Sequence, residues 1–352
     1  MIYLNSDYTA GAHPEVLRRL VETNNLHTPG YGEDRFTLQA KNLILEECDL
    51  PKGEVFFMVG GTQTNAVVID RLLERNDGVI AADTSHIEVH EAGAIEFSGH
   101  KILRLPDEDG KLQASEIDRY ISEFYRDDTN LHMVRPSMVY ISFPTELGTL
   151  YSREELKHLH ETCKKWDIPL YIDGARMAYG LAAAPDLTLK EIAKLCDAFY
   201  IGGTKCGALF GEAVVTSRPE LFKRFFSLMK MHGALLAKGR LLGVQFETLF
   251  EDGLYYRIGG EAVRHAGRLR DIFYAHGFKP CIDSPTNQQF YTLPNEVIDQ
   301  LRKEVSVDLW GVPGSRESTV RFVTNWTTTN SDMDYIELFL DKMLDGKGPV
   351  LK

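Results

Sequence analysis

Up to about residue 216, short apolar runs alternate with stretches in which apolar positions recur every three or four residues. The first pattern marks strands and the second amphipathic helices. Their steady alternation predicts an α/β sheet with helical crossovers. Strands are expected at 55–59, 78–82, 100–104, 137–143, 168–173, 197–202 and 212–216. The run LYID (170–173) is apolar on both faces, as a central strand covered by helices on each side should be. Two helices show readable starts, Ser152-x-x-Glu155 and Thr188-x-x-Glu191, each a capping-box pattern.

The pattern changes after that point. Segment 219–276 reads as long helices, then strand patterns follow at 288–293 and 319–324, with helices around 294–304 and 332–344. A large α/β domain over 1–250, N-terminal segment included, and a small α+β domain over 251–352 are therefore expected. No internal repeat or low-complexity segment is visible.

Composition narrows the class. At 352 residues, with 43% apolar and 26% charged, the chain can bury a large core. A formal net charge of −12 argues against nucleic acid or an anionic membrane as partner. The five cysteines are scattered without a CxxC pair, which supports neither a disulfide framework nor a zinc site. The start MIYLNSD has no basic and apolar leader, and no apolar run approaches the roughly 20 residues that span a bilayer. A cytoplasmic location is expected.

The chemistry begins at Lys205, in AFYIGGTKCGALFGEAVV (198–215). It follows an apolar strand and sits among small residues, a poor setting for a lysine that merely faces solvent. Upstream, the strand in IPLYIDGAR (168–176) ends in Asp173. A carboxylate closing an apolar strand needs a cation or donors. An ion pair with Arg176 would serve, and so would a protonated pyridine nitrogen. Earlier still, VFFMVGGTQTNAVV (55–68) runs a strand through Gly60, Gly61 and Thr62 into a helix, whose free N–H groups suit a phosphate. The spacing is neither GxGxxG nor a Walker loop, which argues against a nicotinamide dehydrogenase or a P-loop enzyme. A phosphate nest, a strand-end aspartate and a strand-end lysine, in this order, are the three points that hold pyridoxal phosphate.

Other candidates surround these three. His86, after strand 78–82, can stack on a ring and move protons, or can be a satisfied core residue; His90 lies one helical turn on. Arg321, in STVRFVTNW, is a guanidinium within an apolar strand and asks for an anion such as a substrate carboxylate, unless it reaches solvent at an edge. Ser6 and Asp7, and Tyr31 to Asp34, read as loops with turn chemistry.

Assembled, these residues make the chain resemble the threonine aldolase family of fold type I pyridoxal-phosphate enzymes, within the β-eliminating lyase group. NSDYTAGAHPEV, YGEDR, GGTQTN, SHIEVHEAGA, TELGTLYS, YIDGARMA, GGTKCGALFGEAVV and VRFVTNW occur in the family's order over nearly the whole chain. The resemblance implies a mostly parallel seven-stranded sheet and a smaller C-terminal domain. It implies that Lys205 forms the Schiff base, Asp173 pairs with the pyridine nitrogen, His86 stacks on the ring, and Gly60, Gly61 and Thr62 hold the phosphate. Arg176 would lie near the cofactor's phenolic oxygen, and Arg321 with Ser6 near the substrate carboxylate. The activity implied is retro-aldol cleavage of L-threonine or L-allo-threonine to glycine and an aldehyde, the substrate amine displacing Lys205. A β-eliminating lyase or an amino-acid racemase would use the same anchors.

Family members are usually homotetramers with shared active sites, so Tyr31 and the Lys238–Arg240 segment are expected to serve a neighbouring chain. One departure matters. In one branch a histidine follows the threonine after strand 137–143; here that place is Glu146, and His90 stands where that branch has a tyrosine. His86, Glu146 and His90 are thus the candidates for handling the hydroxyl proton.

Overall fold

In the computed structural model, residues 1–345 are described. Their strands, in chain order, are β1 (Ile2–Tyr3), β2 (Glu54–Met58), β3 (Asp77–Ala82), β4 (Lys101–Leu105), β5 (Arg135–Ser142), β6 (Leu170–Asp173), β7 (Ala198–Gly202), β8 (Glu212–Thr216), β9 (Gln288–Pro294), β10 (Val305–Ser306), β11 (Asp308–Leu309) and β12 (Glu317–Val323). Seven of them form one sheet in the order β2-β8-β7-β6-β5-β3-β4. β8 runs antiparallel to both neighbours and the other pairings are parallel, so the sheet is mostly parallel as expected.

Burial follows strand position. β3, β6, β7 and β8 are buried at every residue, whereas the edge strands β2 and β4 alternate with exposed positions. Successive side chains of the central strands feed two different apolar layers. Val139, Ile141, Ile172, Phe199 and Ile201 enter one, beneath the helices Arg153–Lys165, Arg240–Glu251 and Leu254–Ala275. Tyr140, Tyr171, Tyr200 and Val214 enter the other, beneath the helices Gly61–Leu72 and Phe225–Met231. The second layer carries three tyrosines in a row across β5, β6 and β7; the Tyr140 and Tyr171 hydroxyls donate to Asp173 and Asn65, and Tyr200 lines the cavity beyond.

A small antiparallel sheet, β11-β12-β9, lies towards the C-terminus, with its own apolar cluster around Leu269, Phe273, Tyr291 and Phe322. The helix Leu254–Ala275 belongs to both cores, giving Tyr255 and Ile258 to the large one and Leu269 and Phe273 to the small. The N-terminal segment pairs with this region. Ile2 and Tyr3 in β1 lie parallel to Val305 and Ser306 in β10, and Val323 N–H donates to the Leu4 carbonyl at 2.8 Å.

Two helical expectations are corrected. The helix expected from Pro219 is split: a 3-10 turn at Pro219–Phe222 is followed by Arg224 in the left-handed region (φ 60°) before Phe225–Met231 begins. The next helix, expected to include Leu235 to Gly239, starts only at Arg240. Residues just before it pair with the 30–32 loop, Tyr31 N–H donating to the Ala237 carbonyl at 3.0 Å, and that contact overrides the local propensity. Of the two capping boxes, Ser152–Glu155 forms in full. At Thr188 only the threonine arm forms, because Glu191 turns to Arg153 at 2.6 Å.

Candidate active site

The carboxyl ends of the parallel strands meet at one rim, where ligands bind in open α/β sheets. Ser142 ends β5, Asp173 ends β6, Lys205 follows β7, and the loop after β3 carries His86. The loop after β6 passes close against β7. A side chain at Gly174 would put Cβ 2.0 Å from the Tyr200 carbonyl oxygen, so only glycine fits there. Between the loops lies a cavity of about 210 Å³, lined in part by Gly61, Thr62, His86, Asp173, Arg176 and Lys205. A second lobe of about 340 Å³ shares His86, Glu146, Arg176 and Lys205, and adds His90, Trp310 and Arg321.

Lys205 is half-buried, and its carbonyl accepts the Tyr179 hydroxyl at 2.5 Å. Burial lowers the pKa of its amine and Arg176 lowers it further, with Asp7, Asp173 and Glu212 opposing. A lysine so placed holds more of the neutral, nucleophilic form.

Asp173 is held by donors. Its Oδ2 accepts from the Tyr140 hydroxyl at 2.6 Å and from Asn65 Nδ2 at 2.9 Å, while Oδ1 accepts the Ala175 N–H at 3.0 Å. Burial works against its charge, but His86 and the hydrogen bonds from Tyr140, Tyr200 and Asn65 outweigh it, and the carboxyl titrates below its ordinary value. It therefore stays ionised, as a partner for a cationic ring nitrogen must. Of the two readings left open by the sequence, the ion pair with Arg176 does not form. Arg176 binds Asp7 instead, Nε to Oδ2 at 2.7 Å and Nη2 to Oδ1 at 3.1 Å.

The helix Gly61–Leu72 opens at Gly60 with no side-chain cap, and its first residues, Gly61 and Thr62, line the cavity. Uncapped N–H groups at that end suit an anion. An ionised acceptor, a lysine of lowered pKa and an uncapped helix start on one cavity fit pyridoxal phosphate.

Arg321 projects from β12, its side chain 13% exposed. Its hydrogen bonds are long, 3.3 Å to Gln288 Oε1 and 3.4 Å to the Asn5 carbonyl, Asp308 Oδ2 stands 4.0 Å from Nη2, and among the described residues its buried Nε has no partner. Trp310 lies under the guanidinium, 4.9 Å from the ring centre. Burial and the neighbouring Arg176 lower its pKa. A buried guanidinium with donors to spare is a site for a carboxylate.

Glu146 lies on both lobes. Its Oε1 accepts from the His86 backbone N–H at 2.9 Å and from the Ser142 hydroxyl at 2.6 Å, and burial raises its pKa. The His86 and His90 rings are 5.6 Å apart.

Two of the expected residues stand apart. Ser6 is buried with an unpartnered hydroxyl, off the cavity wall, while its carbonyl takes Asn325 at 3.3 Å. Tyr31 is 43% exposed and lines a different, apolar groove with Phe226 and Leu236. Gly60 precedes the lining residues as the helix N-cap.

Sequence reading missed Asp7, Tyr8, Asn65, Glu91, Glu212 and Trp310, all of which meet the cavity or hold a residue that does. A signal existed for two of them. Asn65 lies one helical turn into the helix after the glycine pair, and Glu91 directly follows His90.

Residues 4–287 match the family model for β-eliminating lyases. The chain belongs to the β-eliminating lyase family. Within it, the low specificity L-threonine aldolase of a Pseudomonas species is 31% identical over 336 residues, 92% of each chain. That of Pseudomonas aeruginosa is 31% identical over 332 residues, again 92% of each. Among solved structures, the Leishmania major threonine aldolase superposes with a TM-score of 0.94 at 37% identity, covering 97% of this chain and 99% of that one. The architecture is that of fold type I pyridoxal-phosphate enzymes, and the family and relatives make the chain a carbon–carbon lyase.

Proposed function

We propose that this β-eliminating lyase family member cleaves L-threonine or L-allo-threonine to glycine and an aldehyde, with pyridoxal phosphate as its cofactor. One observation carries the reading. Lys205, with its depressed amine, and Arg321, with an unpartnered buried Nε, line one cavity with His86, the layout for a substrate held by amine, carboxylate and hydroxyl at once.

When bound, the cofactor supplies an electron-withdrawing ring that accepts the pair released as the Cα–Cβ bond breaks. Lys205 offers the amine for its attachment. Asp173 keeps a negative charge for the ring nitrogen, secured by Tyr140 and Asn65. Gly60, Gly61 and Thr62 offer the helix start to the phosphate, and Arg176, steadied by Asp7, stands for the phenolic oxygen. Arg321, whose guanidinium reaches the Asn5 carbonyl next to Ser6 in the chain, fixes the substrate carboxylate. Fixing it orients the bond to be broken, which converts binding into rate. His86, Glu146 and His90 are the groups that can receive the hydroxyl proton.

We further assign the protein to the cytoplasm and to a homotetramer. Tyr31 and the Lys238–Arg240 segment would complete the site of a neighbouring copy. The apolar groove holding Tyr31 and the 51% exposed Phe226 supports a covered face. A monomer mass by light scattering would refute the assembly. For the reaction, purified protein with pyridoxal phosphate and L-threonine or L-allo-threonine should release acetaldehyde and glycine. Release of pyruvate and ammonia would mean β-elimination instead. Borohydride should trap the cofactor on Lys205, and Lys205→Ala should abolish both trapping and aldehyde release.

A further inference from the structure

Glu91 has no part in the reading above, yet its side chain is 0% exposed and touches His86. Its Oε1 accepts from Asn65 Nδ2 at 2.8 Å and lies 2.8 Å from His86 Nδ1. Asn65 places its amide group against two carboxylates, Glu91 and Asp173, and takes the Tyr171 hydroxyl on Oδ1 at 3.1 Å. An amide nitrogen has two hydrogens and no lone pair to offer, so both carboxylates are acceptors here. The atom that meets the Glu91 carboxylate from the imidazole must then be an N–H. Nδ1 carries the proton, and Nε2 keeps its lone pair. Among the described residues Nε2 has no hydrogen-bond partner, and the ring lines both lobes of the cavity.

We propose that Glu91 is a positioning residue for the cleavage, holding His86 with Nδ1 protonated so that Nε2 takes the substrate's hydroxyl proton. This rests on His86 being the base in the function proposed above. The proton leaves the hydroxyl for Nε2, the O–H electron pair becomes the carbonyl π bond of the departing aldehyde, and the Cα–Cβ pair stays with the glycine carbon. That carbon is later protonated, so no proton is gained or lost overall. The Glu91 charge stabilises the imidazolium formed in between. Other groups face the same ring or cavity: His90 at 5.6 Å between rings, Glu146 under the His86 backbone N–H, Asp173, and the cations Lys205, Arg176 and Arg321. Of these side chains only Glu91 hydrogen-bonds the ring itself.

The test has two arms. In wild-type holoenzyme with ¹⁵N-labelled histidine, at a pH where the ring is neutral, His86 should show a protonated Nδ1 and an unprotonated Nε2. The opposite tautomer would overturn the proposal without any variant. In kinetics, Glu91→Gln keeps an acceptor oxygen but removes the charge, so the imidazolium is less stable. A base must be neutral to act, so the acid limb of kcat/KM for L-threonine should move to lower pH by about one unit. The same variant should lose about 10- to 100-fold in kcat, with KM nearly constant and Glu91→Asp partly restoring the rate. An unmoved acid limb, or a loss confined to KM, would refute the role. A wild-type enzyme that releases no aldehyde would sink the function reading, while the ¹⁵N spectrum would still decide the tautomer.

Discussion

Two buried acids on this cavity titrate in opposite directions. Asp173 has four donors and a nearby imidazole, and its pKa falls; Glu212 has fewer, and burial pushes its pKa up to about 8 despite Thr204 and the Gly203 N–H. Below that value folded Glu212 is neutral, whereas in the unfolded chain it ionises above its ordinary 4.5. A raised folded pKa on an acid means that stability declines as pH rises between those two values. Glu212→Gln removes that decline. In cofactor-free protein the melting temperature of the variant should gain on wild type from pH 5 to 8, by about 5 °C or more. A constant difference across that range would show that Glu212 does not titrate there. Arg321 argues differently, from fork geometry. Arg321→Lys keeps the charge but loses the paired donors and the flat contact with Trp310. KM for L-threonine should rise on the order of 10- to 100-fold with kcat less affected. Steady-state kinetics with the variant check this; an unchanged KM would place the substrate carboxylate elsewhere.

At the scale of elements, strands and their ends were legible, and crossings were not. The central strands read correctly because their side chains are apolar on both faces, a local signal that burial then enforces. The helix Arg240–Glu251 illustrates the other case. It packs on the helix Arg35–Glu47, and a Cβ at Gly243 would meet Thr37 backbone N at 2.4 Å. Nothing near Gly243 in the chain announces a neighbour some 200 residues upstream. Gly243→Ala should destabilise the protein by about 1–3 kcal/mol through overpacking, despite the better helix propensity of alanine. Denaturant melts would show it, and a more stable variant would mean that the two helices can move apart. The delayed start of this helix has the same origin, since the 30–32 loop claims the backbone just before it.

Across the whole molecule, the N-terminal segment is the tie between the small sheet and the cavity. β1 lies along β10, Leu4 meets β12, Asn5 and Ser6 offer carbonyls to Arg321 and Asn325, and Asp7 grips Arg176 while accepting Asn287 Nδ2 at 3.0 Å. Removing residues 1–4 should therefore leave the central sheet folded but reduce kcat/KM about tenfold or more, since a small displacement of positioning groups is costly. Far-UV circular dichroism with kinetics would separate the effects; full activity would show that Asp7 and Arg321 hold their places unaided.

The sequence alone determined the order of strands and helices and which residues stand at the strand ends. Periodicity and strand-end chemistry are local, so Lys205, Asp173 and the Gly60–Gly61 turn could be read from their immediate neighbours. Which partner each charged group takes was decided only in three dimensions. Arg176 lies three residues from Asp173 but pairs with Asp7, 169 residues away. Asp173 goes to Asn65, and His86 to Glu91. Burial makes an unpaired polar group costly, and the packing of the chain, not its order, sets which partners are within reach.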